Sequence, residues 1–533
     1  MTMPLSLCQR YHEFTKYSPE GLARSNHQLD WSQQPVPFKE YPLEVSTTLD
    51  LKPYLKQTPD PWETVVEVDV LGAKEAEAVR WQRQRLSQML FFSYGVTLTL
   101  SYPQQLLYLR TAPSAGGLYP AEIYVIASAN QEKILPGIYN YQVKDHTLLR
   151  IWDDPRWLQL QKSCWDSPIL QTTPLVLVTT VVFFRSAWRY QDRAYRRVCL
   201  DTGHLLGNIE LAANLTGFRA SLLGGFADQQ LAELLFLNFR EESPLAVIPL
   251  QDLWQDAEAD VTVYPAWQRP SDSPSALPSS TLTDTVELQS GEWLFYLHQH
   301  SCLQTQPPSP PEMPGVSIAG NKYNFPFCLK ASTEVDPIRW GGHLQQLVQS
   351  ILRRRSTREF TQELLDLPDL LHLLDFTYHP EHYGDQGMDP DPDFFDLSLI
   401  ETFVVVNSIS GLEEGCYYYA PQVEELRQIR FKNFREEVHH LCLGQNLGRD
   451  AAAVIFHTAD LDQAVQRYGE RAYRYLHMDA GHLGQRLNLA AVQLKIGVSG
   501  IAGFFDDQVN EVLGIPVSEA VLYITTLGHL RNP

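Results

Sequence analysis

The run Arg353-Arg354-Arg355-Ser356-Thr357-Arg358-Glu359-Phe360 sets four guanidinium groups beside two hydroxyls. Guanidinium forks give paired, charge-assisted hydrogen bonds and hydroxyls give short ones, a set suited to a dianionic phosphate with a polyol chain behind it. The same run also reads as a solvated basic surface before a helix capped near Thr361. A second stretch, Pro113-Ser114-Ala115-Gly116-Gly117-Leu118-Tyr119-Pro120, gathers small residues ahead of a β-rich run. Small residues let main chain approach a planar ligand, and Ser114 adds a hydroxyl; read plainly, the stretch is a tight turn. A third feature occurs twice, as Leu223-Gly224-Gly225-Phe226-Ala227-Asp228 and as Ile501-Ala502-Gly503-Phe504-Phe505-Asp506. Such glycines either expose N–H donors to a ligand or simply enter a helix that the Asp caps.

The double occurrence belongs to a repeat. Tyr190 to Ala213 and Tyr468 to Ala491 are identical at 12 of 24 positions, at a constant offset of 278 residues. The offset also carries Gly225 onto Gly503 and Asp228 onto Asp506. A repeat this long is a duplicated domain, and two copies in one chain are expected to form a pseudo-twofold dimer. Pro- and Ser-rich segments, Tyr264 to Asp284 and Gln304 to Gly315, offer little that could form a core and read as connector. The expected organisation is therefore a first domain over 1–260, a connector over 261–335 and a second domain over 336–533.

Helical spacing places Leu200, His204, Leu211 and Ala212 near one face of a helix, and Met478, His482, Leu489 and Ala490 near one face of its twin. Both histidines read as residues of these core helices. Arg80 to Phe92 and Pro368 to Phe376 are further helix candidates. Strands are expected at 122–128, 137–141, 174–184, 246–250, 401–407, 415–419, 451–458 and 520–526. The fold class is α+β.

The chain has 533 residues, 44% hydrophobic and 20% charged, with a formal charge of −21. That balance argues against nonspecific nucleic-acid binding and against docking on anionic lipid. The longest apolar segment is too short to span a bilayer as a helix. Seven scattered cysteines without a CxxC read as free thiols in a reducing compartment, with no metal-ligand spacing, and no secretory signal is visible. A cytoplasmic protein is expected.

Taken together, RRRSTREF, PSAGGLYP and the Gly-Phe-containing turn resemble the nitroreductase superfamily. Its SagB-type dehydrogenases, which oxidise azolines, are resembled more specifically through YHEFTKYSPEGL at 11–22, LDWSQQPVPFKEYP at 29–42, PGIYNY and the YxxRAYR…LDxGH block. The resemblance implies two fused nitroreductase-like domains, with FMN held at their interface. By that resemblance Arg354, Arg355, Ser356 and Arg358 hold its phosphate and ribityl chain, with Arg531 adding to the phosphate site. Pro113, Ser114, Ala115 and Gly116 line the ring from the other half, and Ala502 and Gly503 present N–H donors near N5. Azoline-oxidising relatives use a Lys-Tyr pair as acid and base, and the matching pairs are Arg189-Tyr190 and Arg467-Tyr468. Arg is no base near neutral pH, which leaves Tyr190 and Tyr468 as catalytic candidates or as packing tyrosines at a helix start.

The first half lacks a clustered Arg-Ser segment, its equivalent being taken as Arg80 to Gly95. The second half has Asp389 to Leu399, DPDPDFFDLSL, where PSAGG would stand. The losses are complementary, so one whole site is expected and the other is dead. The expected substrate is a small molecule or a peptide, with NAD(P)H as a donor. The competing reading is an inactive scaffold that binds a peptide; random decay would not make the losses complementary.

Overall fold

The structure is a computed structural model that describes residues 4–24, 28–42, 47–55, 73–102, 105–128, 134–254, 275–311 and 322–531. Residues 261–274 and 312–321 of the expected connector, and the expected boundary at 260, lie outside the described residues.

Each half is built on a seven-stranded antiparallel sheet. In the first the order is Thr47–Asp50, Thr147–Trp152, Gly137–Gln142, Ala121–Ala127, Leu175–Val182, Glu242–Asp252, Phe218–Ala220. In the second it is Lys330–Ser332, Glu425–Arg430, Gly415–Ala420, Glu401–Val406, Ala453–Asp460, Glu519–Gly528, Gly497–Ile501. The two orders correspond strand for strand. Central strands such as Ala121–Ala127 are buried at every position, so apolar residues stand on both faces and do not alternate, and the one charge, Glu122, is paired with Arg185 at 2.6 Å.

Between the sheets cross two 22-residue helices, Ala194–Leu215 and Ala472–Gln493. The spacing predicts one apolar face, yet both are buried on nearly all sides, because each has the twin helix and its own half's elements around it. Their polar residues are therefore interior and must be paired. Asp506 accepts from Arg193 (2.8 Å) and Arg196 (2.6 Å), while Asp228 accepts from Arg471 (2.7 Å) and Arg474 (2.9 Å). One ion-pair cluster thus appears twice across the pseudo-twofold, each time joining one half to the other, as an isologous interface requires.

The helix Ala73–Tyr94 packs on Ala194–Leu215 as Leu367–Tyr378 packs on Ala472–Gln493. Arg80 to Gly95 is therefore the counterpart of a packing helix and not of the Arg-Ser segment. Its Arg85 is locked on Asp252 at 2.8 Å. The segment read as connector also holds more than extended chain. Ala276 and Leu277 are buried, and Trp293–His300 forms a helix with Trp293, Leu294 and Leu297 in the core. The Asp192 carboxylate accepts from Leu294 N (3.0 Å) at the start of this helix. Glu470, the repeat counterpart of Asp192, accepts from Leu7 N (3.1 Å) and Cys8 N (2.6 Å) at the start of Leu7–Phe14. Two aromatic-containing helices are thus capped in trans by one repeated acidic position.

All seven cysteines are free thiols, five of them buried. Among the described residues no helix is long and apolar enough to cross a membrane.

Candidate active site between the two halves

Beside the crossing of the core helices lies a cleft of about 510 Å³. One wall is Pro113, Ser114, Ala115, Gly116 and Gly117, backed by Arg189, Tyr190, Arg197, Asp201 and His204 of the first half. The facing wall is Ser356, Arg358, Asn488, Tyr523 and the stretch Ser499 to Gly503 of the second half. Tyr17, Leu443 and Gln445 complete the rim.

The first wall is shaped by its glycines and by one carboxyl. Gly116 and Gly117 have φ of +68° and +67°, the left-handed region that a Cβ disfavours. A Cβ at Gly116 would also stand 3.0 Å from the Tyr190 hydroxyl oxygen. Asp201 accepts from Ser114 Oγ (2.5 Å) and Ala115 N (3.2 Å), and Tyr119 N donates to Ser114 Oγ (2.8 Å). Burial pushes the Asp201 carboxyl up to about 7, outweighing these donors.

On the facing wall the strand Gly497–Ile501 ends in Ala502 and Gly503 before the helix Asp506–Leu513. Because Asp506 is gripped by Arg193 and Arg196 of the other half, this turn is held at the cleft and not left as a free loop. His204 meets Tyr523 Oη through Nε2 (3.0 Å) and Gln485 through Nδ1 (3.2 Å); burial lowers its pKa to about 3, so it is neutral. It is a core-helix residue, as expected, and also part of the cleft wall.

The cleft brings together Pro113, Ser114, Ala115, Gly116, Tyr190, Ser356, Arg358, Ala502 and Gly503. Four other expected site residues do not line it. Arg354 is buried and donates to the carbonyls of Thr111 (2.6 Å) and Arg110 (3.1 Å), so it ties the two halves together. Arg355 donates to its own segment, at Arg354 O (2.6 Å) and Leu352 O (3.3 Å). Arg531 is exposed and pairs with Glu359 at 3.2 Å. Tyr468 donates to Asp396 (3.0 Å) on the opposite side of the pseudo-twofold. Tyr190 and Tyr468 close the short helices Phe183–Tyr190 and Leu461–Tyr468 and immediately precede the turns Gln191–Arg193 and Gly469–Arg471 that lead into the core helices. The basic run likewise follows a helix, Gln345–Arg353; the next begins only at Leu367, so Thr361 caps nothing.

The counterpart cleft is filled. Asp479, at the repeat position of Asp201, accepts from Phe395 N (3.0 Å) and Asp396 N (2.8 Å). The acidic stretch therefore does sit where PSAGG sits in the other half. Phe394 stacks on His482 with ring centroids 4.2 Å apart, and Phe395 stacks on Tyr475 at 4.5 Å. The Phe395 ring lies against Gly224, the counterpart of Ala502. Arg219 is occupied by Asp389 (3.0 Å) and Asp393 (2.9 Å).

Sequence reasoning missed Arg197, Asn488 and Tyr523. For Arg197 a signal existed: position 475 of the twin block is Tyr, a departure inside the most similar part of the repeat.

A family model for the Nitroreductase family matches residues 83–250 and 351–529. A crystal structure of a putative nitroreductase from Anabaena variabilis is similar over 99% of this chain and 100% of its own, with 52% identity and a TM-score of 0.87. The Methanocaldococcus jannaschii protein MJ1384 is 29% identical over 170 residues, 32% of this chain and 85% of that protein. The microcin B17-processing protein McbC of Escherichia coli is 29% identical over 142 residues, 26% of this chain and 52% of McbC. The match thus spans about half the length of McbC.

Proposed function

The chain belongs to the Nitroreductase family by both of its halves, and we propose that it is an FMN-dependent oxidoreductase of the SagB type holding one flavin between them. The observation that carries this reading is the asymmetry of the two interface clefts. One is open, with small residues on one wall and cationic and main-chain donors on the other; its counterpart is packed with Phe394 and Phe395.

The residues of the open cleft fit FMN. Arg354 Nη1, on the segment that carries Ser356 and Arg358 to the cleft, is buried without a hydrogen-bond partner, as expected beside a site for an anionic group. Ser356 and Arg358 would take the phosphate and ribityl chain, with Arg354 positioning their segment against the first half. Pro113 to Gly116 would flank the ring, and Ala502 and Gly503 would direct N–H donors at its edge. When bound, FMN supplies reversible two-electron transfer at N5. Burial raises the Tyr190 phenol above its usual pKa, with Arg197 and Arg189 opposing, so Tyr190 holds its proton at neutral pH and can present it into the cleft. Arg189 stands where azoline-oxidising relatives have a lysine, and a guanidinium is no base near neutral pH. The substrate is a small molecule or a peptide-borne ring, the latter supported by the processing role in the name of McbC, and NAD(P)H is a candidate donor.

The test is a visible spectrum of the purified protein, identification of the cofactor released on denaturation, and anaerobic reduction by NADH or NADPH. One FMN per chain is expected. Colourless protein that takes up no FMN would refute the assignment and leave a scaffold.

A further inference from the structure

Among the described residues, buried arginines are answered almost everywhere. Arg193 and Arg196 meet Asp506, Arg471 and Arg474 meet Asp228, and Arg486 meets Glu210. Arg110 and Arg354 have no acid but donate to carbonyls of Pro37, Thr111 and Arg110. Arg197 is the exception. It is 4% exposed, lines the cleft, has a partnerless Nε, and makes no hydrogen bond or ion pair among the described residues. The nearby Asp201 carboxyl is engaged by Ser114 and Ala115.

What Arg197 does touch is the face of Tyr190, its Cζ 4.7 Å from the ring centroid. Arg189, exposed at the rim, stands over the same ring at 5.7 Å. Two guanidinium groups therefore attend one phenol, one inside the cleft and one at its mouth. Leaving a buried cation uncompensated is costly, and the site is built to be completed by an anion. Gly503 fixes which end of the cleft this is: a Cβ there would come 3.8 Å from Arg197 Nη2. Under the flavin reading above, on which this step rests, that turn faces the reactive edge of the ring, away from the phosphate held by Ser356 and Arg358.

We propose that Arg197 and Arg189, with Tyr190 between them, form an anion subsite that selects carboxylate-bearing substrates for the reactive edge of the flavin. A carboxylate entering at the mouth would pass Arg189 and come to rest on Arg197, whose planar fork can hold it by two parallel hydrogen bonds.

The test titrates purified holoprotein with benzoate, followed by the flavin absorption bands, with benzamide as the uncharged isostere. Benzoate is expected to perturb the spectrum and benzamide to bind at least about tenfold more weakly. Arg197→Met should keep one FMN per chain and weaken benzoate by about tenfold or more, and Arg197→Lys should recover part of the loss. Equal binding of benzoate and benzamide, or benzoate binding unchanged in Arg197→Met, overturns the proposal. So does an Arg197→Met protein that folds but carries no FMN, because Arg197 would then belong to the cofactor. Wild-type protein without FMN defeats the flavin reading instead. Calorimetry with benzoate then decides the subsite alone: Arg197-dependent binding supports it, and none overturns it.

Discussion

Gly203 lies directly on the main chain of Met478: a Cβ added to Gly203 would stand 2.1 Å from the Met478 carbonyl oxygen. Its twin Gly481 stands in the same relation to Leu200, at 2.3 Å. The two halves meet where the core helices cross with no side chain between them. Gly203→Ala and Gly481→Ala must push the helices apart, and each is expected to cost about 1–3 kcal/mol. Gly342→Ala, where a Cβ meets nothing within 4 Å, is the control. Thermal unfolding should show both core variants clearly below wild type and the control near it; an unchanged midpoint in both would refute the helix contact.

Asp201 and Asp479 share a repeat position, and burial pushes both carboxyls up to about 7. A carboxyl with a folded pKa above its unfolded value of roughly 3.9 binds more protons in the folded state between those values, so its contribution to stability falls as pH rises through that window. Asp479→Asn removes this term on the filled side without touching the open cleft. Its midpoint relative to wild type should rise from about pH 4 to about pH 7, a change on the order of 1–4 kcal/mol. A difference flat across that range would show that Asp479 is charged throughout.

Much of this was legible in the sequence because duplication prints the same physics twice. The block around Leu200 and Met478 located both core helices, and β-rich runs such as Ala121–Ala127 located strands that are buried on both faces. The open cleft was legible through residue type, since Ser114 and Gly116, or Ser356 and Arg358, lie on opposing walls. What was not legible depends on where a side chain turns. Arg354 and Arg358 are alike in sequence, yet one is buried on carbonyls of the other half and the other opens on the cleft. Composition hid the helix Trp293–His300, whose neighbours are rich in Pro and Ser but whose Trp293 and Leu297 are core residues. The acidic stretch at Asp389 reads as a run of charge, yet its carboxylates bind Arg219 and the aromatic rings beside them do the filling.

Filling by Phe394 and Phe395 has a consequence for stoichiometry. Phe395 is 6% exposed and stacks on Tyr475, so Phe395→Ala should cost about 3–5 kcal/mol as a buried aromatic lost. The double variant Phe394→Ala/Phe395→Ala opens space but supplies no Arg-Ser segment of the kind that carries Ser356 and Arg358, and it leaves Glu210, an acid, where the open side has Asn488. Released FMN should remain at one or fewer per chain, measured against protein concentration. A ratio approaching two would mean that shape alone, without the cationic wall, suffices to bind the cofactor.

Arg358 and Arg354 should separate cofactor binding from assembly of the halves. Arg358 is exposed, lines the cleft and makes no hydrogen bond among the described residues, so Arg358→Ala removes a donor without removing packing. It should weaken FMN by about tenfold or more, the worth of one charge-assisted contact, while the unfolding midpoint of the flavin-free protein stays within a degree or so of wild type. Arg354 bridges to the first half, donating to Thr111 and Arg110 just ahead of the Pro113 turn. Arg354→Ala leaves two interior carbonyls without their donor, at about 1–3 kcal/mol each. It should therefore lower the midpoint of the flavin-free protein as well as FMN affinity. If Arg358→Ala lowers the apo midpoint as much as Arg354→Ala does, its role is structural; if Arg354→Ala alone affects FMN, the phosphate is held from the interior of the interface and the cleft assignment of Arg358 is wrong.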